Sequence, residues 1–245
     1  MGLLSWVKEK CQNIKEGIKT VLHEVKVKTA DAINKLANRT KEWGGKVKEA
    51  INNAGTKIGI ILTPKRPYEP TEQEKKKVEE CVSLINNTFR SGIKNTLMNQ
   101  PPEKRLETFQ EFTKRATQVL NLTNVKLELE NLGATTMGGL NPETNVFTLN
   151  AAMIACDNPE LMEEQVFTVI HELTHKRQFD AIKDYANGRP IDKYGYSERQ
   201  IYEFAKNWKC YIQPRENYEW YRKQPLENAA YGFEDLVKSK YRINH

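Results

Sequence analysis

Residues 171 to 175 read His-Glu-Leu-Thr-His, so two of the chain's four histidines stand four apart with a glutamate between them. On a helix that spacing puts His171 and His175 about 40° apart on one face, and both imidazoles can approach one cation. Neutral imidazoles joined by a carboxylate in a tetrahedral arrangement suit zinc (Zn2+), which in catalytic sites keeps one position for water. Glu172 lies about 100° round the helix from His171. It can reach that water, take its proton and later deliver it to a leaving amine.

Two histidines and a water leave such a site one protein donor short. His175 is followed by Lys176-Arg177-Gln178-Phe179-Asp180-Ala181, so the glycine and third histidine of the longer H-E-x-x-H-x-x-G-x-x-H pattern are missing. His23 and His245, one in the N-terminal tail and one at the last position, are poor places for an ordered ligand. A carboxylate is needed, and Glu227 is the best candidate. Pro225 can open a helix that carries Glu227 in its first turns, and Ala230 leaves room for close packing against the histidine helix. A lone glutamate there would be an ordinary surface residue favoured by the helix dipole. Glu198, Glu203, Glu216, Glu219 and Glu234 stay open as alternatives.

The elements that must position these groups can be read from periodicity and caps. Asn158 is a capping residue and Pro159 a first helical residue, predicting a helix to about Ile182. Met162, Val166, Val169, Ile170 and Leu173 then form a core stripe roughly opposite the histidines. Upstream, Thr71 with Glu74 makes a capping box for a helix whose apolar face is Val78, Cys81, Val82, Ile85 and Phe89. A second helix is expected from Glu103 to Leu120. The segment Val125 to Leu132, with period-two alternation over its first part, reads as a strand with one buried face. Gly138 to Asn145 supplies turn residues, and Val146 to Asn150 a second strand.

The net charge of +6 is unevenly spread: residues 1–70 hold 14 Lys/Arg against 7 Asp/Glu, and residues 71–245 hold 24 against 25. The larger part therefore has no basic field for nucleic acid. In the tail, Leu4, Val7, Cys11, Ile14, Ile18, Val21 and Val25 follow at three- and four-residue steps with lysines on the other faces, and a looser rhythm continues to Ile51. Two amphipathic helices are predicted. Their stripe suits packing against the rest of the chain or another copy of it, or else an anionic membrane surface. Interspersed acidic residues make nucleic acid a poor partner. Three prolines in residues 64–70 stop any helix. The expected division is thus a basic amphipathic helical extension at 1–62, a Pro-rich linker at 63–71 and a domain at 72–245. The four cysteines show no close pair, which argues against a disulfide framework or thiolate metal site. No apolar run approaches the roughly 18 residues of a membrane span. The lysine at position 8 interrupts any signal-peptide core, so a cytoplasmic location or export by a signal-independent route is expected.

His171-Glu-Leu-Thr-His175-Lys-Arg-Gln178 together with Tyr221-Arg-x-x-Pro225-x-Glu227-x-x-Ala230-Tyr231 resembles bacterial zincin-like metallopeptidases of the two-His, one-Glu (gluzincin) class, including domains found in toxins and effectors. The likeness covers roughly residues 72–245. It implies an α+β fold with a small sheet and a central histidine helix. It also implies zinc on His171, His175 and Glu227, Glu172 as general base, and a protein or peptide substrate. The turn and strand at Gly138 to Asn150 look like the edge along which such enzymes align an extended peptide. The thermolysin-like branch has an Asp four residues after the ligand glutamate, where this chain has Tyr231. Tyr231 and Tyr221 are read first as packed core tyrosines, with hydrogen bonding around the metal or to an oxyanion as the alternative. Two rival functions stand beside hydrolysis. One is a zincin-fold binding protein with negligible turnover. The other is a membrane- or partner-docking protein acting through residues 1–62.

Overall fold

The structure, a computed structural model, describes residues 68–243. The amphipathic helices expected within 1–62, most of the linker, and His23 and His245 lie outside the described residues. The observed class is α+β: eight α-helices and a three-stranded sheet among the described residues.

Helix α1 (Glu72–Thr88) starts where the capping box predicts: Thr71 Oγ1 accepts from Glu74 N at 3.1 Å, and Glu74 Oε2 accepts from Thr71 N at 3.0 Å. Its expected face, including the Cys81 thiol, is buried. The short helix α2 (Ile93–Met98) was not legible from periodicity. It opens at Gly92, whose φ of +87° a glycine adopts without the steric penalty of a side chain. Helix α3 (Pro102–Val119) begins within a residue of its expected start.

Strand β1 (Lys126–Glu130) is followed by β2 (Gly138–Asn141) and β3 (Val146–Asn150). The order is β1-β3-β2, with β3 parallel to β1 and antiparallel to β2. This corrects two expectations. Gly138 to Asn141 is a strand, and the turn is confined to the residues between Asn141 and Val146. There Asn141 Oδ1 accepts from Glu143 N and Thr144 N, and Asn145 takes φ +58°. The glycine at 138 serves close approach: a Cβ there would lie 2.8 Å from Thr148 O and 3.3 Å from Thr168 Cγ2. Accordingly the sheet edge beside the histidine helix is β2, while the strand expected to be that edge, β3, is central and buries Phe147 and Leu149.

Asn150 ends β3 and caps the short helix α4 (Ala151–Ala155) by accepting from Ala152 N, while its Nδ2 donates to Gly133 O and Thr136 O. Helix α5 (Pro159–Ala186) is the long central helix, starting at the predicted Asn158 cap and running a turn past Ile182. Its stripe residues Met162, Val166, Val169, Ile170 and Leu173 are all fully buried. The opposite face is covered too, because α8 (Pro225–Ile243) packs along it. Between them the chain forms a 3-10 turn (Asp192–Tyr194), α6 (Glu198–Trp208) and α7 (Tyr218–Lys223). Ser197 and Gln200 build a second capping box at α6. Burial on both faces explains why the motif continues into Lys176, Arg177 and Gln178, polar side chains that sit in the interior. Among the described residues no helix is long and apolar enough to cross a membrane.

Candidate metal centre

The i, i+4 spacing on α5 brings the Nε2 atoms of His171 and His175 to 3.1 Å from each other. Packing of α8 against α5 delivers Glu227 from its first turn: Oε1 is 3.1 Å from His175 Nε2 and Oε2 is 3.5 Å from His171 Nε2. Zinc with nitrogen and oxygen donors at 2.0–2.1 Å in a tetrahedron separates those donors by roughly 3.3 Å. The two ring nitrogens meet that spacing, and the carboxylate approaches each of them through a different oxygen, with one ligand atom from each residue within 4.8 Å of the others. His171, His175 and Glu227 are all buried, and among the described residues they are the group whose ligand atoms converge in this way. Glu227 Oε2 is buried and accepts no hydrogen bond of ordinary geometry. A buried carboxylate oxygen left in that condition is costly, and a cation would satisfy it.

The remaining ring nitrogens are held from behind. His171 Nδ1 lies 3.0 Å from Glu234 Oε2, and His175 Nδ1 lies 2.8 Å from Gln178 Oε1. Both contacts favour a proton on Nδ1 and turn the Nε2 lone pair toward the centre. Burial alone would lower the His171 pKa, but its bonds to Glu227 and Glu234 and the charge of Glu172 carry it up to about 10. Burial would likewise raise Glu227, yet the neighbouring His175 and His171 hold it well below the usual carboxylate range. The excess negative charge that draws a proton to the pair would also draw a cation.

Glu234, one of the alternative carboxylates, therefore stands behind a histidine, seven residues after Glu227, while the position four residues after it is Tyr231. Seven residues on a helix fall about 20° short of two full turns, so Glu227 and Glu234 share the face that α8 turns to α5. Lys238 reaches Glu234 Oε1 at 3.4 Å and Glu164 Oε2 at 2.8 Å, steadying that carboxylate. Glu234→Gln keeps the shape but weakens the polarisation of His171, and a loss of about tenfold in zinc affinity is expected. Competition against a chromogenic chelator would measure it; wild-type affinity would show that Glu234 only fills space. Glu198, Glu216 and Glu219 are exposed, and Glu203 pairs with Arg199, so none joins the centre.

Glu172 is half-buried, and its charge raises both histidines. Around the centre the aromatic rings form a closed circuit. From His175 it passes to Phe179 (centroids 6.3 Å apart), Trp208 (4.6 Å), Tyr211 (6.1 Å), Tyr221 (6.1 Å), Tyr231 (6.5 Å) and back to His171 (4.3 Å). Tyr221 and Tyr231 are thus half-buried in the wall of the site rather than packed in the core. Burial and then the charge of Glu227 push the phenols of Tyr211, Tyr221 and Tyr231 upward. All three keep their protons at neutral pH and can donate. Tyr211 donates to Glu227 Oε1.

No protein-family model, curated protein or solved structure matches the chain. Sequence reasoning missed Tyr211, Gln178 and the role of Glu234. The i+3 step from His175 to Gln178 and the two-turn step from Glu227 to Glu234 carried a usable signal. Tyr211 carried none, because it reaches the site from a loop.

Proposed function

We propose that this chain is a zinc-dependent metallopeptidase with a zincin-like domain over residues 72–245, hydrolysing peptide bonds with Glu172 as general base. The observation that supports it most directly is the gathering of two imidazoles and a buried carboxylate, one of whose oxygens is unsatisfied, with a ligand atom from each within 4.8 Å of the others. Zinc held by His171, His175 and Glu227 would act as a Lewis acid toward the scissile carbonyl and lower the pKa of a water.

The chain's own residues supply the rest. Glu172 follows His171 directly on α5 and is less buried than either ligand. In this reading it takes a proton from water at the centre and passes it to the leaving amine. The phenols of Tyr211, Tyr221 and Tyr231 offer protonated donors around the position where negative charge develops on the carbonyl oxygen. Strand β2 lies on the sheet edge against α5, with Gln165 Nε2 donating to Met137 O at 2.9 Å to hold its start. An extended peptide could add to that edge and present its carbonyl to the histidines.

A binding protein with structural zinc is favoured by one observation, the near-complete burial of all three ligands. Structural zinc, however, takes four protein ligands, and the described residues supply three. Metal analysis of the purified chain tests the reading. Wild type should carry about one zinc per chain, and Glu227→Ala should lose most of it. Full stoichiometry in Glu227→Ala would mean that another carboxylate completes the site.

A further inference from the structure

The hydrogen bonds behind the candidate ligands close on themselves. His175 Nδ1 meets Gln178 Oε1 at 2.8 Å, and Gln178 Nε2 donates to Leu226 O at 3.0 Å, at the residue before Glu227. Leu226 N donates to Asn207 Oδ1 at 3.0 Å, and Asn207 Nδ2 donates to Gln224 Oε1 at 2.9 Å. Gln224 then grips the backbone next to Tyr211 from both sides: its Oε1 accepts from Ile212 N at 3.0 Å and its Nε2 donates to Ile212 O at 2.8 Å. Tyr211 OH donates to Glu227 Oε1, which lies 3.1 Å from His175 Nε2. Asn207, Gln224 and Gln178 are at most 1% exposed. Every side-chain amide in this circuit has a partner, in an interior where an unmade hydrogen bond is expensive.

This arrangement does more than the fold requires. Residues 209–217 connect α6 to α7 without helix or strand, and most of their side chains are exposed. Such a segment would not by itself hold a phenol against a buried carboxylate. The amide grip on Ile212 fixes the backbone beside Tyr211, and Asn207 ties that grip to the first turn of α8, where Glu227 sits. Oε1 of Glu227 accepts from Tyr211 and lies 3.1 Å from His175 Nε2, whereas Oε2, 3.5 Å from His171 Nε2, accepts no hydrogen bond and is the oxygen left for a cation.

We propose that Tyr211, set in place by the Asn207–Gln224 amide pair, is a positioning residue that makes Glu227 present one oxygen, Oε2, to the metal. This rests on the metal reading given above and adds how the carboxylate is oriented. With Tyr211 removed, Oε1 loses the donor that holds it and becomes available beside Oε2. A carboxylate that swings to chelate adds a fifth donor to the two imidazoles, the first oxygen and the water, and so changes the coordination number.

The test uses the full chain loaded with cobalt(II) as a spectroscopic substitute for zinc, and zinc affinity measured against a chromogenic chelator. Tyr211→Phe removes one hydroxyl from a half-buried ring. Its expected zinc affinity is about tenfold lower, with a cobalt visible spectrum weakened as a four-coordinate site becomes five-coordinate. Gln224→Met, checked for folding by circular dichroism, should reproduce both changes. The double variant should lose no more than the larger single, since both break one circuit. Tyr202→Phe, an exposed tyrosine elsewhere on α6, should match wild type. Metal uptake by the wild type that Tyr211→Phe leaves unaltered in affinity and spectrum would overturn the positioning role alone. No uptake by the wild type would remove the metal reading, and this inference with it. If Gln224→Met fails to fold, Tyr211→Phe decides the matter alone.

Discussion

Glu172→Gln is expected to lower peptide turnover by about 10²- to 10⁴-fold, the usual contribution of a positioned general base, while leaving folding and zinc content as in the wild type. The amide is nearly the same size as the carboxylate, and Glu172 contributes none of the converging ligand atoms. What the substitution removes is a proton acceptor that follows His171 on the same helix, together with the negative charge felt by both rings. That charge also raises Tyr211, so it is felt on the tyrosine-lined side of the centre. A proteome-wide cleavage screen, wild type against Glu172→Gln, measures turnover without knowing the substrate. Equal cleavage by the two would end the assignment of Glu172 as base. Cleavage by neither, with zinc bound to both, would favour the binding-protein reading.

The histidine helix was readable because three independent local signals agree on it. Asn158 and Pro159 fix its start, the apolar stripe fixes its core face, and the four-residue step fixes where the imidazoles meet. Glu227 was readable because Pro225 announces a helix start just ahead of it. The capping boxes of α1 and α6 differ in this respect: Thr71 and Glu74 stand out ahead of an apolar helical stripe, while Ser197 and Gln200 are masked by the charged residues around them. Strand β2 was misread because Gly138, Gly139 and Asn141 are turn formers by local preference. Their place in the sheet is set by long-range pairing with β3 and by the closeness of α5, which local preference does not encode. Tyr211 and the amide circuit depend on contacts between segments that are distant in the chain. No periodicity marks them, and only the packing of α6, α8 and the loop after α6 brings them together.

The same limit hid the buried charge pair that locks α1 to the histidine helix, and its disruption carries the largest expected effect on stability. Arg177 and Glu74 are each 1% exposed, with Arg177 Nη2 3.1 Å from Glu74 Oε1. Arg177 Nε donates to Tyr196 OH at 2.9 Å, its guanidinium lies 4.6 Å from the Tyr196 ring and 4.8 Å from the Phe233 ring, and Nη1 has no partner. Glu74 also accepts from Tyr68 OH at 2.6 Å and from Thr71 N at 3.0 Å. Glu74→Ala therefore strands a buried cation that already has one unmet donor, breaks half of a capping box and frees Tyr68. A loss of about 3–5 kcal/mol in denaturant unfolding is expected. Arg177→Met should cost less, because Glu74 keeps two donors and the methionine refills the space between the rings. Glu74→Leu combined with Arg177→Met should recover part of the loss, since removing both charges avoids the penalty of leaving one alone. A Glu74→Ala midpoint equal to wild type would show that water reaches Arg177 and that the pair is not sealed. The order of the three variants matters for the site as well. Arg177 lies two residues beyond His175 on α5 and touches Phe233 beside Glu234 on α8, so the pair clamps the two helices whose contact assembles the candidate ligands.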